Sequence, residues 1–115
     1  MKRPVSPIER LLVTRLADRL PESQRRQILA DLAASVVRPM NSNETILEFC
    51  INGYQHPEPR GREAYRIEGR TLDQDGSEVF VYLFADANDR LLELEILRVL
   101  PGPLVAPNWD ALQLY

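Results

Sequence analysis

The sequence has one histidine, His56, one cysteine, Cys50, and one tryptophan, Trp109, among its 115 residues. A single cysteine excludes an internal disulfide and any cysteine-based metal cluster. One His and one Cys also fall short of the three or four convergent ligands that zinc requires. Nucleophilic catalysis with an imidazole base would have to use the same two residues. Cys50 lies in the alternation Ile46, Glu48, Cys50, where a thiol behaves as a small hydrophobe, and His56 is followed by Pro57 in a loop. His56 therefore reads as a solvated loop residue, with no catalytic residue, metal or cofactor expected. No Gly-rich phosphate loop of either common spacing is present. No window approaches the roughly 18 apolar residues of a membrane helix. The opening Met-Lys-Arg-Pro-Val-Ser-Pro has no apolar stretch behind its charges, so neither a signal peptide nor a membrane partner is expected. Together with the lone thiol, this predicts a cytoplasmic protein.

What is present suits one globular domain over residues 1–115, since the chain is 44% apolar and 27% charged. The net charge of −3 is unevenly placed. Residues 1–40 carry eight basic and four acidic side chains, and residues 41–115 carry six and thirteen. Such a division can steer a charged partner. Nucleic acid is not that partner: the first forty residues lack any aromatic to stack on a base, and a helix-turn-helix would need a third helix.

Ser6-Pro7-Ile8-Glu9 is a capping box with proline at the first helical position. Ile8, Leu12, Leu16 and Leu20 then recur every four residues, with Leu11 and Val13 beside them, predicting an amphipathic helix that Pro21 ends. A second helix is expected from Pro21-Glu22 to about Ala34. It turns Ile28, Leu29, Leu32, Ala33 and Val36 inward and Gln24, Gln27 and Asp31 outward.

After Val36 the period shortens. Residues 35–40 read as an extended segment that Pro39 confines to an edge or strand end, and Thr45 to Ile51 as a strand. Asn52 to Gly61 reads as a long loop, unusual in so small a domain. Glu63–Leu72, Val79–Phe84 and the alternating Leu92, Leu94 and Ile96 with Glu93 and Glu95 make a meander joined by Asp73–Gly76 and Asp86–Asp89. The acidic turn at Asp73 lacks the bidentate Glu of a calcium loop. The expected class is α+β, two N-terminal amphipathic helices packed on an antiparallel meander of about four to five strands. An apolar tail with Trp109 and Tyr115 docks after Pro101-Gly102-Pro103.

The remaining candidates form a protein-interaction surface: Glu93 and Glu95 on one strand face, Tyr54, His56 and Arg60 on the long loop, and Trp109 on the tail. Tyr, Trp and Arg are the types that most often anchor interfaces. The stretch from Val79 to Val99, with its Ala-Asp-Ala-Asn-Asp turn and Leu-Leu-Glu-Leu-Glu-Ile strand, follows a capped helix at Ser6 to Leu12. In this it resembles a family of small uncharacterised bacterial α+β domains. By size and acidity alone it also resembles the immunity proteins that neutralise bacterial toxins. That likeness implies a non-enzymatic binding protein, an immunity-type inhibitor whose acidic sheet face meets a basic toxin domain. The alternative is a self-associating housekeeping or regulatory module, with a homodimer as its simplest form.

Overall fold

A computed structural model describes residues 1–115. Its elements run β1 (Arg3–Pro4), α1 (Pro7–Ala17), α2 (Glu22–Ala33), β2 (Ser35–Pro39), β3 (Ile46–Ile51), β4 (Glu63–Leu72), β5 (Glu78–Ala85), β6 (Leu91–Arg98), a 3-10 turn (Trp109–Ala111) and β7 (Gln113–Leu114). The α+β class stands, but the sheet has seven strands in the order β1-β2-β3-β6-β5-β4-β7, all antiparallel, where four to five were expected. The additions are two-residue pieces at the edges, β1 and β7, which no periodicity can reveal. Residues 35–39 are an inner strand, because Arg3 and Pro4 pair with Val37 and Val36 on its outer side.

The capping box forms as the sequence predicts. Ser6 Oγ accepts from the Glu9 N–H at 3.3 Å, and Glu9 Oε1 accepts from the Ser6 N–H at 2.9 Å. Burial alone would raise the Glu9 carboxyl, but Arg3, hydrogen-bonded at 2.6 Å, and the Ser6 N–H hold it below its ordinary value. Ser6→Ala is expected to cost about 1 kcal/mol, read in thermal melts. An unchanged melting temperature would show that the cap contributes nothing.

Leu12, Val13, Leu16 and Ala17 of α1 are fully buried, whereas Ile8 and Leu11 are 37% and 44% exposed, so the apolar stripe is narrower than it reads. On α2, Ile28 and Leu32 face the sheet while Ala33 is exposed, and Val36, expected on the same helical face, belongs to β2 and is 38% exposed. Asp31 was expected on the polar face, yet it is 1% exposed. Arg90, 59 residues away, donates to it through Nε and Nη2 at 3.0 and 2.7 Å, and the Leu91 N–H donates at 3.1 Å. Charge matched from the turn before β6 overrides local amphipathicity. The core is one cluster of twenty residues between the helices and one sheet face, with Phe49, Leu47, Leu83 and Leu94 at its centre.

The tail docks, held by the acidic turn. Asp73 accepts from the N–H groups of Gln74, Val105 and Ala106 and from Arg98, all at 2.7–2.9 Å. Leu112 packs on Gly69, where an added Cβ would lie 3.1 Å from Leu112 Cδ1. Arg15 of α1 donates to the Trp109 and Leu112 carbonyls. Burial opposes ionisation of Asp73, but its four donors prevail and bring its pKa down to about 2. A carboxylate depressed in this way adds stability that is complete above its unfolded value, about 3.9. That stability is lost as pH falls through about 2. Trp109, the sole tryptophan, should therefore shift its fluorescence to the red as pH falls from about 4 toward about 2. Asp73→Ala should give the shifted emission at neutral pH with far-UV dichroism retained. Emission unchanged by either would separate the tail from Asp73.

Candidate functional site

Both helices lie on one side of the sheet. The other side is built by the even-numbered residues of β2, β3, β4 and β5 and by Glu93, Glu95 and Leu97 of β6, and it divides into two halves. In the first half the register sets Glu48 directly opposite Glu93. Like charges so placed repel. Arginines relieve them: Arg38 on β2 donates to Glu48 at 2.6 Å, and the loop brings Arg60 onto Glu48. Arg62 bridges Glu93 at 2.7 Å and Glu95 at 3.0 Å, with its guanidinium 3.7 Å above the Phe84 ring. Glu48 and Glu93 are each 5% exposed beneath this arginine roof. The Glu93–Glu95 surface is therefore neutralised, not a bare acidic face.

The second half has no roof. Phe80 and Tyr82 stand side by side on β5, rings 6.3 Å apart and 17° from parallel. Phe80 pairs across from Leu97 on one side and Arg70 on the other. Arg70 pairs with Glu68 at 2.6 Å and lies 4.3 Å from the Tyr115 ring. A hollow of about 420 Å³ opens here between Arg70, Phe80, Tyr115 and the tail residues Asn108 and Gln113. Of the exposed large hydrophobics, Val36, Leu72 and Leu97 face this side by strand alternation, and Tyr115 lies here beside Arg70.

At the end of the sheet the loop closes a polar cluster. His56 is not solvated: its side chain is 11% exposed and that of Asp86 is 0%. Asp86 Oδ2 accepts from Tyr54 Oη at 2.6 Å and His56 Nδ1 at 2.7 Å, and Oδ1 accepts from the Asn88 and Arg90 N–H groups. Burial would raise the Asp86 carboxyl, but these donors outweigh it and lower its pKa. His56 Nε2 faces the Phe49 carbonyl at 2.7 Å. Both ring nitrogens thus face a protein acceptor, and the ring is held between them. The arrangement contains a His–Asp pair, but the nitrogen that would carry a proton to a substrate is occupied by backbone. Neither nitrogen is left for Cys50.

The predicted site residues thus separate into three places. Glu93, Glu95 and Arg60 meet on the roofed half, Tyr54 and His56 enter the cluster beside it, and Trp109 packs against the core from the tail, away from both. Sequence reasoning missed Arg62, Asp86 and Arg90, whose partners lie tens of residues away. It also missed Phe80 and Tyr82, which the apolar run Val79–Phe84 concealed although the alternation of bulk within it points to two faces.

These features define a two-layer α+β domain with helices over one sheet face and an ion-paired, partly aromatic surface on the other. Residues 2–107 match the family described as a domain of unknown function, DUF6984, and the chain belongs to that family. No curated protein and no solved structure matches the chain. No helix is long and apolar enough to cross a membrane.

Proposed function

We propose that this chain is a non-enzymatic, cytoplasmic binding domain that engages another protein through the sheet face its helices leave uncovered. The observation that carries the reading is the second half of that face, where Phe80, Tyr82, Leu97 and Tyr115 adjoin Arg70. Aromatics and arginine are the types that anchor interfaces, and apolar residues gathered on one side of a domain mark an interaction site. What supports a non-enzymatic role is the locked His56, the one side chain in the protein suited to proton transfer at neutral pH.

The narrower reading, an immunity-type inhibitor of a basic toxin domain, draws on the net charge of −3. Glu48, Glu93 and Glu95 give it little help, because a basic partner would have to displace Arg38, Arg60 and Arg62 from them.

Leu97 on the uncovered face and Leu11 on the helical side are equally exposed, at 44% each, and make a matched pair of probe positions. A photo-crosslinking amino acid placed at one or the other in the native host should give a discrete protein adduct at 97 and none at 11. Equal adducts at both positions, or none at either, would overturn the proposal.

A further inference from the structure

We infer that the partner of the uncovered face is a second copy of this chain, packed face to face so that two sheets enclose the Phe80–Tyr82–Leu97 stripe between them. The inference rests on the binding reading above and names its partner.

Charge is the first argument. The face carries Arg38, Arg60, Arg62, Arg66 and Arg70 against Glu48, Glu68, Glu78, Glu93 and Glu95, five of each sign, although the whole chain is at −3. A strongly basic or acidic partner finds no net field to meet there, whereas an identical copy meets a surface as neutral as itself. A two-fold axis also makes contacts reciprocal. An axis passing near Phe80 and Tyr82 sets aromatic against aromatic, and lets the Arg70–Glu68 pairs of the two copies exchange partners across it.

The second argument is that the sheet has little other surface to offer. Its edges end in the two-residue strands β1 and β7, one containing Pro4, which blunt edge-to-edge extension. The face itself is broad. Five central strands about 4.8 Å apart and some seven residues long give a flat footprint on the order of 500 Å². Side-chain relief brings the accessible area toward the roughly 800 Å² per partner of a standard interface. Covering a bare sheet face with a second layer is also how two-layer cores are completed.

The test is the solution mass of the purified full chain by sedimentation, followed from about 1 μM to about 1 mM. The expected result is a reversible approach to twice the monomer mass. Leu97→Asp and Arg70→Glu should each weaken the association at least about 10-fold, while Leu11→Asp on the helical side leaves it unchanged. Both Leu97 and Arg70 are substantially exposed, so these variants keep their fold, checked by far-UV dichroism. Mixing Arg70→Glu with Glu68→Arg should restore the association that each variant has lost alone. That rescue requires two copies meeting through this face.

Monomer at every concentration overturns the inference. So does a dimer indifferent to Leu97→Asp and Arg70→Glu. If the wild type is monomeric while a probe at 97 crosslinks a different protein, the second copy is wrong and the binding face stands. If no adduct forms at 97 either, both fail together.

Discussion

Replacing Leu94 with Asp is expected to leave no cooperatively folded protein. Leu94 lies on β6, the fourth of seven strands, with no exposure, in the cluster that joins helices to sheet. Truncation to Ala there removes packing worth about 2–5 kcal/mol. Asp adds the cost of a carboxyl with no donor in reach, several kcal/mol more. Together these meet or exceed the 5–15 kcal/mol that typically holds a small domain together. The adjacent residue gives the control. Glu93 points to the opposite face, and its partner Arg62 has a side chain 44% exposed that can turn to water. Glu93→Ala should therefore cost about 1 kcal/mol. Urea unfolding followed by far-UV dichroism separates the two outcomes. A folded, soluble Leu94→Asp variant would mean that β6 is inside out.

The contrast between these neighbours marks how far the residues alone carry. Alternation of Leu94 and Ile96 with Glu93 and Glu95 assigns two faces correctly, although a bulge puts Leu91 rather than Leu92 into the core, and Ser6-Pro7-Ile8-Glu9 fixes the start of α1. Both signals are local, set by side-chain period and by a cap that spans three residues. What lies over a face is not local. Alternation says that Glu93 and Glu95 share a side but not that Arg62, 31 and 33 residues away, folds across them. Asp31 reads as polar surface until Arg90 arrives from the turn before β6, and His56 reads as solvated until Asp86 and the Phe49 carbonyl enclose it. The expected count of four to five strands fails for a related reason, since β1 and β7 are too short to show a period and exist through their pairing with β2 and β4.

The charge division between the two halves of the sequence acquires a different meaning in the fold. Much of the acidity after residue 40 faces inward or is met by arginine: Asp73 and Asp75 hold Arg98, Glu48 and Glu93 lie under the loop, and Asp86 holds His56. These ion pairs join segments distant in the chain, tail to turn and loop to sheet, so they fix the geometry of loops that have few apolar side chains of their own. A sequence-wide excess of one sign is thus a poor guide to surface potential when so many of the charges are paired at short range.

The cluster around Asp86 is where that role can be measured. Asp86→Ala removes one carboxylate and leaves four donors without an acceptor: the His56 ring, the Tyr54 hydroxyl and the Asn88 and Arg90 N–H groups. A buried donor left without its acceptor costs about 1–3 kcal/mol, so four stranded together cost about 3–5 kcal/mol after partial relaxation. For a domain of this size that lowers the melting temperature by at least about 10 °C. His56→Ala should cost less, since Asp86 then keeps Tyr54 and two backbone donors. The double variant should cost less than the two singles together, with a coupling of about 1–3 kcal/mol. The acid limb gives an independent reading. The folded pKa of Asp86 is depressed, so its contribution is complete above the unfolded value near 4 and is lost as pH falls through the folded one. The gap in melting temperature between wild type and Asp86→Ala should therefore be full above about pH 4 and narrow below it. If the two proteins melt together at neutral pH, the histidine, the tyrosine and the loop that carries them are held by something other than this carboxylate.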